Sequence, residues 1–295
     1  MPDRPQEENA QGKATDRYAA TSPKQNDWYG SVVAASPERR RNWYSAVAAA
    51  YDRTRPRYPQ ELIQQAITLS QLPAGAKILE IGCGPGIATV EFAKLGFSMV
   101  SLEPSTAACQ IARDNCAAYP QVEIVNTTFE DWELGTEKFL AILAATSWHW
   151  VDPQIGYAKA IASLQDQGYL ILLWNNIPQP SYAICQDLAK VYTNLALSLG
   201  KYEDQVTQEK SLQNLGQQVM ETRLFKNFVT SQLVSQVTYS IDDYLALLST
   251  LSPYIALEPN QREELFSGLR AVLNTNHGLE IETSYLSMLQ IAQKI

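Results

Sequence analysis

Hydrophobic positions along the chain fall into two rhythms that alternate with each other. Short strand-like stretches occupy 78–81, 98–102, 122–126, 139–145 and 168–174, of which 139–145 is apolar throughout. Runs without a polar face suit strands covered on both sides, as in a parallel sheet. Between them the spacing becomes helical, with Leu62, Ile63, Ala66, Ile67 and Leu69 on one stripe of 60–72. Further helices are predicted over 87–95, stopped by Gly96, over 106–118, capped by Ser105, and over 155–164. Strand and helix in regular succession predict an α/β fold. Beyond Asn176 the rhythm changes. Pro178 and Pro180 mark a break, and 182–223 reads as Gln-rich amphipathic helices with no strand among them. The insertion, taken as 178–225, is expected to overhang the ligand crevice as a helical cap or to serve packing alone. Strand alternation returns at 228–239, helix at 241–251 and 263–273, and a final strand at 279–289. His277, between Asn276 and Gly278, reads as a turn residue.

The N-terminal end follows neither rhythm. Residues 1–25 hold almost no large apolar side chains, a composition expected of a disordered tail. Trp28 to Ala35 is nearly repeated by Trp43 to Ala50, and both copies look helical. They are expected to pack aromatics on the core or to form a lid, here assigned to 26–58. One catalytic domain then covers 26–295.

The strand at 77–81 runs directly into Gly82, Gly84 and Gly86 and then into a helix. Glycines there allow backbone angles and close approaches that a Cβ would block. In an open α/β sheet, small molecules bind beyond the carboxyl ends of the strands. The spacing is G-x-G-x-G. The dinucleotide fingerprint G-x-G-x-x-G needs glycine at position 87, where Ile87 stands, and no Gly-Lys-Ser/Thr follows. A nicotinamide-dependent oxidoreductase therefore ranks behind other users of this crevice, as does a cofactor-binding protein without catalysis. Glu103 ends the second strand about 20 residues past the loop, where an acid accepts from ribose hydroxyls. Glu80 is an acid inside a buried run, so it is assigned to the following loop, to a cationic group of the ligand, or to bracing its own turn.

Composition narrows the partners. The 295 residues are 45% hydrophobic, enough for a sizeable core, and the net charge of -8 argues against a nucleic-acid partner. No apolar run approaches the roughly 20 residues a bilayer requires, so no membrane span and a cytoplasmic location are expected. Cys83, Cys109, Cys116 and Cys185 lack C-x-x-C spacing, so no metal site is expected.

The loop also resembles motif I of the class I S-adenosylmethionine-dependent methyltransferases. A second match, A-x-x-Y-D-x-x-R-P-x-Y-P from Ala48 through Pro59, is similar to the trans-aconitate methyltransferase-like small-molecule group. Glu103, Pro104 and Ser105 match that group's Glu-Pro-Ser, and Trp148 to Asp152 its aromatic-His-Trp-hydrophobic-Asp run. The resemblance covers about 37–176 and implies a three-layer sandwich, Rossmann-like, with a mostly parallel seven-stranded sheet. It implies S-adenosyl-L-methionine as cofactor and an oxygen or nitrogen of a small molecule as methyl acceptor. Cofactor-binding residues would be Tyr51 and Arg55 at the methionine end, Gly82, Cys83, Gly84 and Gly86 in the loop beside Glu80, Glu103 and Pro104 at the ribose, and Ala145 at the fourth strand's end. Phe129, Glu130 and Asp131 are unranked candidates for the adenine. Trp148 and Trp150 are assigned to the substrate. His149 between them reads as a general base for a hydroxyl or amine, or as a packing histidine held by its neighbours. The Asn-Pro-Pro-Tyr tetrad of amino-methylating DNA enzymes is absent.

Overall fold

The computed structural model describes residues 37–295, with side chains from Tyr44 onward. The tail at 1–25 and the first Trp-Tyr segment at 28–35 lie outside the described residues.

Helix α1 (Pro37–Thr54) carries the second copy and leads to α2 (Gln60–Leu69). The passage between them is shorter than its two prolines suggest. Proline disfavours helix for the one residue before it, so Tyr51 to Thr54 stay helical and the chain extends only from Arg55. Then come β1 (Lys77–Ile81), α3 (Ile87–Lys94), β2 (Ser98–Leu102), α4 (Thr106–Asn115), β3 (Val122–Val125) and β4 (Phe139–Ala145). A single 3₁₀ turn at Trp148–Trp150 precedes α5 (Pro153–Ser163) and β5 (Leu164–Asn175).

Strands β3, β2, β1, β4 and β5 lie side by side in that order, all parallel. The chain leaves β1 toward β2 and later reaches β4 on the opposite side, so strand order reverses beside β1. A crevice opens there, at the carboxyl ends. The last strand, β8 (Glu280–Lys294), runs antiparallel to β5 and along β7 (Phe225–Ser240). The expected mostly parallel α/β sandwich is present, with an eighth strand added: β6 (Gln179–Pro180), two residues paired with Thr283 and Ser284. Strand β5 also starts earlier than its apolar run, at Leu164, through an irregular stretch where Gln167 takes φ 62°.

Two apolar cores cover the faces of the sheet. One gathers Leu62, Ile63, Phe92 and Met99 with Ile78 and Leu143; the other gathers Leu79, Phe139, Leu172 and Trp174. Among the 178–225 helices, α6 (Tyr182–Leu195) and α7 (Gln205–Glu221) go to different places. Leu212 and Val219 of α7 bury against Phe225 and Met288 of the sheet core. Leu188 and Tyr192 of α6 join a third core with α8 (Ile241–Ser249), α9 (Ser252–Ile255) and α10 (Pro259–Asn276). The cap is therefore broader than one insertion and is contributed from both sides of β7. His277 ends α10 and ties it to α6 through Asp187 at 3.1 Å. Among the described residues no helix is long and apolar enough to cross a membrane.

Candidate active site

Each glycine of the loop after β1 has its own reason. A Cβ on Gly82 would stand 2.7 Å from Ser147 Cβ, which β4 delivers to the loop. Gly86 takes φ 87° as the left-handed residue that starts α3. Gly84 has φ 57°, and a Cβ there would meet nothing within 4 Å. It faces the open crevice.

Glu103 closes the loop from β2. Its Oε2 accepts from Gly84 N–H at 2.9 Å and its Oε1 from Ser105 N–H at 2.8 Å. Burial raises the pKa of this carboxyl, and the two backbone donors oppose that shift. A carboxylate has about four acceptor sites, so both oxygens retain capacity toward the crevice that Glu103 lines. Free space at Gly84 beside an acceptor pair at Glu103 fits the diol of a nucleoside, and by that criterion the residues present suit an adenosyl group.

Pro104, Cys83 and Ala145 line the same wall, as do Phe129, Glu130 and Asp131 after β3. Of these three, Asp131 Oδ2 accepts from Thr128 Oγ1 at 2.9 Å, and Glu130 Oε1 accepts from Asp152 N–H at 2.9 Å, tying this corner to the start of α5. Phe129 is buried beneath them against Trp148, with ring centroids 6.5 Å apart. Tyr51 and Arg55 meet the crevice from the opposite side. The Arg55 guanidinium lies 4.6 Å from the Tyr51 ring centroid and donates to Thr250 Oγ1 at 2.9 Å and Thr250 O at 3.1 Å. It therefore joins the α1 passage to the cap.

Glu80 is not on the crevice wall. It is completely buried behind the loop, its Oε2 accepting from Thr89 Oγ1 at 2.6 Å and Ser101 Oγ at 3.0 Å, while its Oε1 has no hydrogen-bond partner. Desolvation raises its pKa to about 7. This placement fits a brace between β1, β2 and α3.

The 3₁₀ turn after β4 sets the far wall. Trp148 is buried, with its ring against Tyr157 at 5.3 Å. Among the described residues His149 packs on Trp150 at 4.9 Å and on Trp174 of β5 at 5.7 Å. Burial, with a smaller contribution from Arg55, pushes the His149 pKa down to about 4, which keeps the ring neutral at ordinary pH. Trp174 is fixed by its Nε1–H donating to Gln290 Oε1 at 2.9 Å.

The crevice encloses about 1330 Å³ and continues from the glycine loop to the cap. A single small-molecule ligand occupies a site of roughly 300–1,000 Å³. There is room for a donor and an acceptor together.

Several wall residues carry no strong signal in the sequence. Thr146, at the tip of β4, has φ 55°, a rare conformation for a β-branched residue. Its Oγ1 accepts from Asn175 N–H at 3.2 Å and pairs with Tyr58 OH at 2.8 Å. Tyr58 is the second tyrosine of the Tyr51–Pro59 segment, and its place in that segment is the one signal that points to it. Tyr44, Tyr192 and Tyr254 reach the wall from α1, α6 and α9, and no local pattern brings them together.

The Methyltransferase domain family matches residues 51–219, from the Tyr51 passage to α7. Uncharacterized methyltransferases of Mycobacterium tuberculosis and Mycobacterium bovis are each 34% identical over 126 residues, 42% of this chain and 49% of the relative. The chain spans about half the length of the curated relatives it matches. Among solved structures, one assigned as a type II methyltransferase from Anaeromyxobacter dehalogenans aligns at TM-score 0.55 and 19% identity, covering 81% of this chain and 97% of that one. One assigned to an antibiotic biosynthesis pathway of Anabaena variabilis aligns at TM-score 0.52 and 18% identity, covering 79% and 98%. At such identities the likeness is one of fold.

Proposed function

The chain belongs to the methyltransferase domain family, and from that premise we propose that it is an S-adenosylmethionine-dependent enzyme that methylates an oxygen or nitrogen of a small molecule. The observation that carries this reading is the closure of the glycine loop on Glu103, with Gly84 left open to a crevice large enough for two ligands.

In this reading Glu103 holds the ribose hydroxyls, Phe129, Glu130 and Asp131 bound the adenine, and Tyr51 with Arg55 bounds the methionine end. S-adenosylmethionine bound there supplies a methyl group already activated on a sulfonium. The protein is left to orient the acceptor and exclude water. Helix α1 and the cap cover the crevice, and the aromatic wall of Trp148, Trp150 and Trp174 turns the acceptor toward its centre. His149 stands on that wall as a neutral imidazole, able to take the proton that a hydroxyl or amine gives up. A nicotinamide enzyme would need a glycine where Ile87 opens α3.

Two measurements test the proposal. In calorimetric titration, S-adenosylmethionine and S-adenosylhomocysteine are expected to bind and NAD is not; the reverse preference overturns it. With methyl-labelled cofactor and a metabolite extract, label is expected in a small molecule identified by mass. Tight cofactor binding with no labelled product would leave a binding protein instead of an enzyme.

A further inference from the structure

We infer that the acceptor is an uncharged, mostly apolar molecule of aromatic dimensions carrying a hydroxyl or aromatic amine, and not a polycarboxylate. The inference rests on the methyltransferase reading above and concerns the cap half of the same crevice.

The first argument is charge. Among the described residues, the cations on the crevice wall are Arg55 and Lys201. Arg55 is engaged with Thr250 and the Tyr51 ring, and Lys201 is exposed at the margin. The acids on the wall are Glu103, Glu130, Asp131, Asp152 and Glu203. Glu203 belongs to the cap side, where partial burial and the neighbouring Asp204 raise its pKa. A citrate-like acceptor entering such a wall would lose hydration and meet five acids, with one guanidinium, assigned above to the methionine end, and one lysine to pair with.

The second argument is the state of the polar groups that the cap does present. Tyr192 OH and Tyr254 OH are hydrogen-bonded to each other at 2.6 Å, and Tyr44 OH to Ser252 Oγ at 2.8 Å. Gln208 Nε2 donates to Glu203 O at 3.0 Å. Burial pushes the Tyr44 and Tyr254 hydroxyls up to about 12, so these phenols stay neutral. With those groups paired among themselves, an incoming molecule meets ring faces and the side chains of Leu188, Leu212, Leu248 and Leu251, beside a few polar groups of which Asn176 at the end of β5 keeps a buried Nδ2 without a partner. Tyr44 also sets its ring edge-on to Trp150 at 5.9 Å, which continues the aromatic surface up to His149. An apolar frame binds this surface by desolvation, with its one X–H group directed to His149.

The test uses the full chain, loaded with S-adenosylhomocysteine for binding and with labelled S-adenosylmethionine for turnover. The probes are 2-naphthol and 2-naphthylamine on one side and citrate and aconitate on the other. The naphthyl compounds are expected to bind at least tenfold more tightly than the acids and to be the ones that take label. Leu251→Glu, on the half-buried cap wall, is expected to weaken naphthol binding at least tenfold while cofactor affinity stays within twofold. Leu215→Glu on α7 serves the same purpose if the first variant misfolds. Preferential binding or methylation of the acids, or no binding of either naphthyl compound to the loaded protein, overturns the acceptor assignment. If the cofactor itself does not bind, the methyltransferase reading fails instead.

Discussion

The two halves of the crevice are built by opposite means. The centre of the proposed donor half is local: β1, the glycine loop, α3 and the end of β2 lie within 77–105, and its central contact joins Gly84 to Glu103. The cap half draws Tyr44, Tyr192, Leu212, Tyr244 and Tyr254 from five separate helices. In the first, as proposed above, one backbone shape formed by the loop and Glu103 serves the adenosyl group. In the second, long-range packing shapes a surface that can change while the sheet beneath it stays the same. Under the proposed function, that division would give a fixed use of cofactor with an adaptable acceptor site.

The largest effect is expected where the donor half leaves least tolerance. Gly84→Val should reduce S-adenosylmethionine affinity by about 100-fold or more, since the branched side chain fills the open space and also strains a left-handed position. Gly84→Asn separates the two causes, because Asn accepts that conformation. It should melt close to wild type and still bind poorly in calorimetry; normal affinity in both variants would remove the loop from the cofactor site.

His149 lies at the seam between the halves. His149→Ala should lower methyl transfer by about 100-fold with cofactor affinity little changed if the ring takes the acceptor's proton. With a pKa near 4 the acid limb of the rate profile is expected around pH 4, well below the usual histidine range. A rise in KM with unchanged kcat would make His149 an acceptor-binding residue, and joint loss of activity and melting temperature would make it a packing residue. Glu103→Ala should cost about 1.5 to 3 kcal/mol of cofactor binding. It also frees the Gly84 and Ser105 N–H groups, so a small drop in melting temperature is expected beside it; affinity unchanged in titration would move the ribose contact elsewhere.

The same division governs how much of the molecule is legible in its sequence. Gly82, Gly84, Gly86 and Glu103 are legible because close approach and chain reversal demand particular residues at fixed spacing. The parallel sheet is legible because its central strand β4 is apolar without alternation and strands alternate with helices along the chain. The placement of Glu80 is not, since its partners Thr89 and Ser101 come from α3 and β2 and look ordinary in sequence. Nor is the extent of the cap. The amphipathic pattern of α6 and of α7 is similar, and only tertiary packing sends Leu188 to the cap core and Leu212 to the sheet. Trp174 as the partner of His149 depends on the register of β4 against β5, which no local pattern encodes.

The smallest effect sets the two halves against each other through pH. His149, on the acceptor side, has a folded pKa of about 4 against an unfolded value of 6.5. Between those values the unfolded chain holds the extra proton, so this group makes stability rise with pH. Glu80, behind the donor loop, has a folded pKa of about 7 against 4.5 unfolded, so between those values the folded chain holds the extra proton and stability falls with pH. Each contributes at most about 1.4 kcal/mol per pH unit, and in the wild type the two slopes oppose each other between about pH 4.5 and 6.5. Replacing either group should uncover the other. Urea midpoints at pH 4.5, 5.5 and 6.5 are expected to rise with pH in Glu80→Gln and to fall with pH in His149→Gln, each relative to the wild-type profile. Parallel profiles in all three proteins would mean that neither group titrates in these windows, and would return Glu80 to an ordinary carboxylate with a partner at its Oε1.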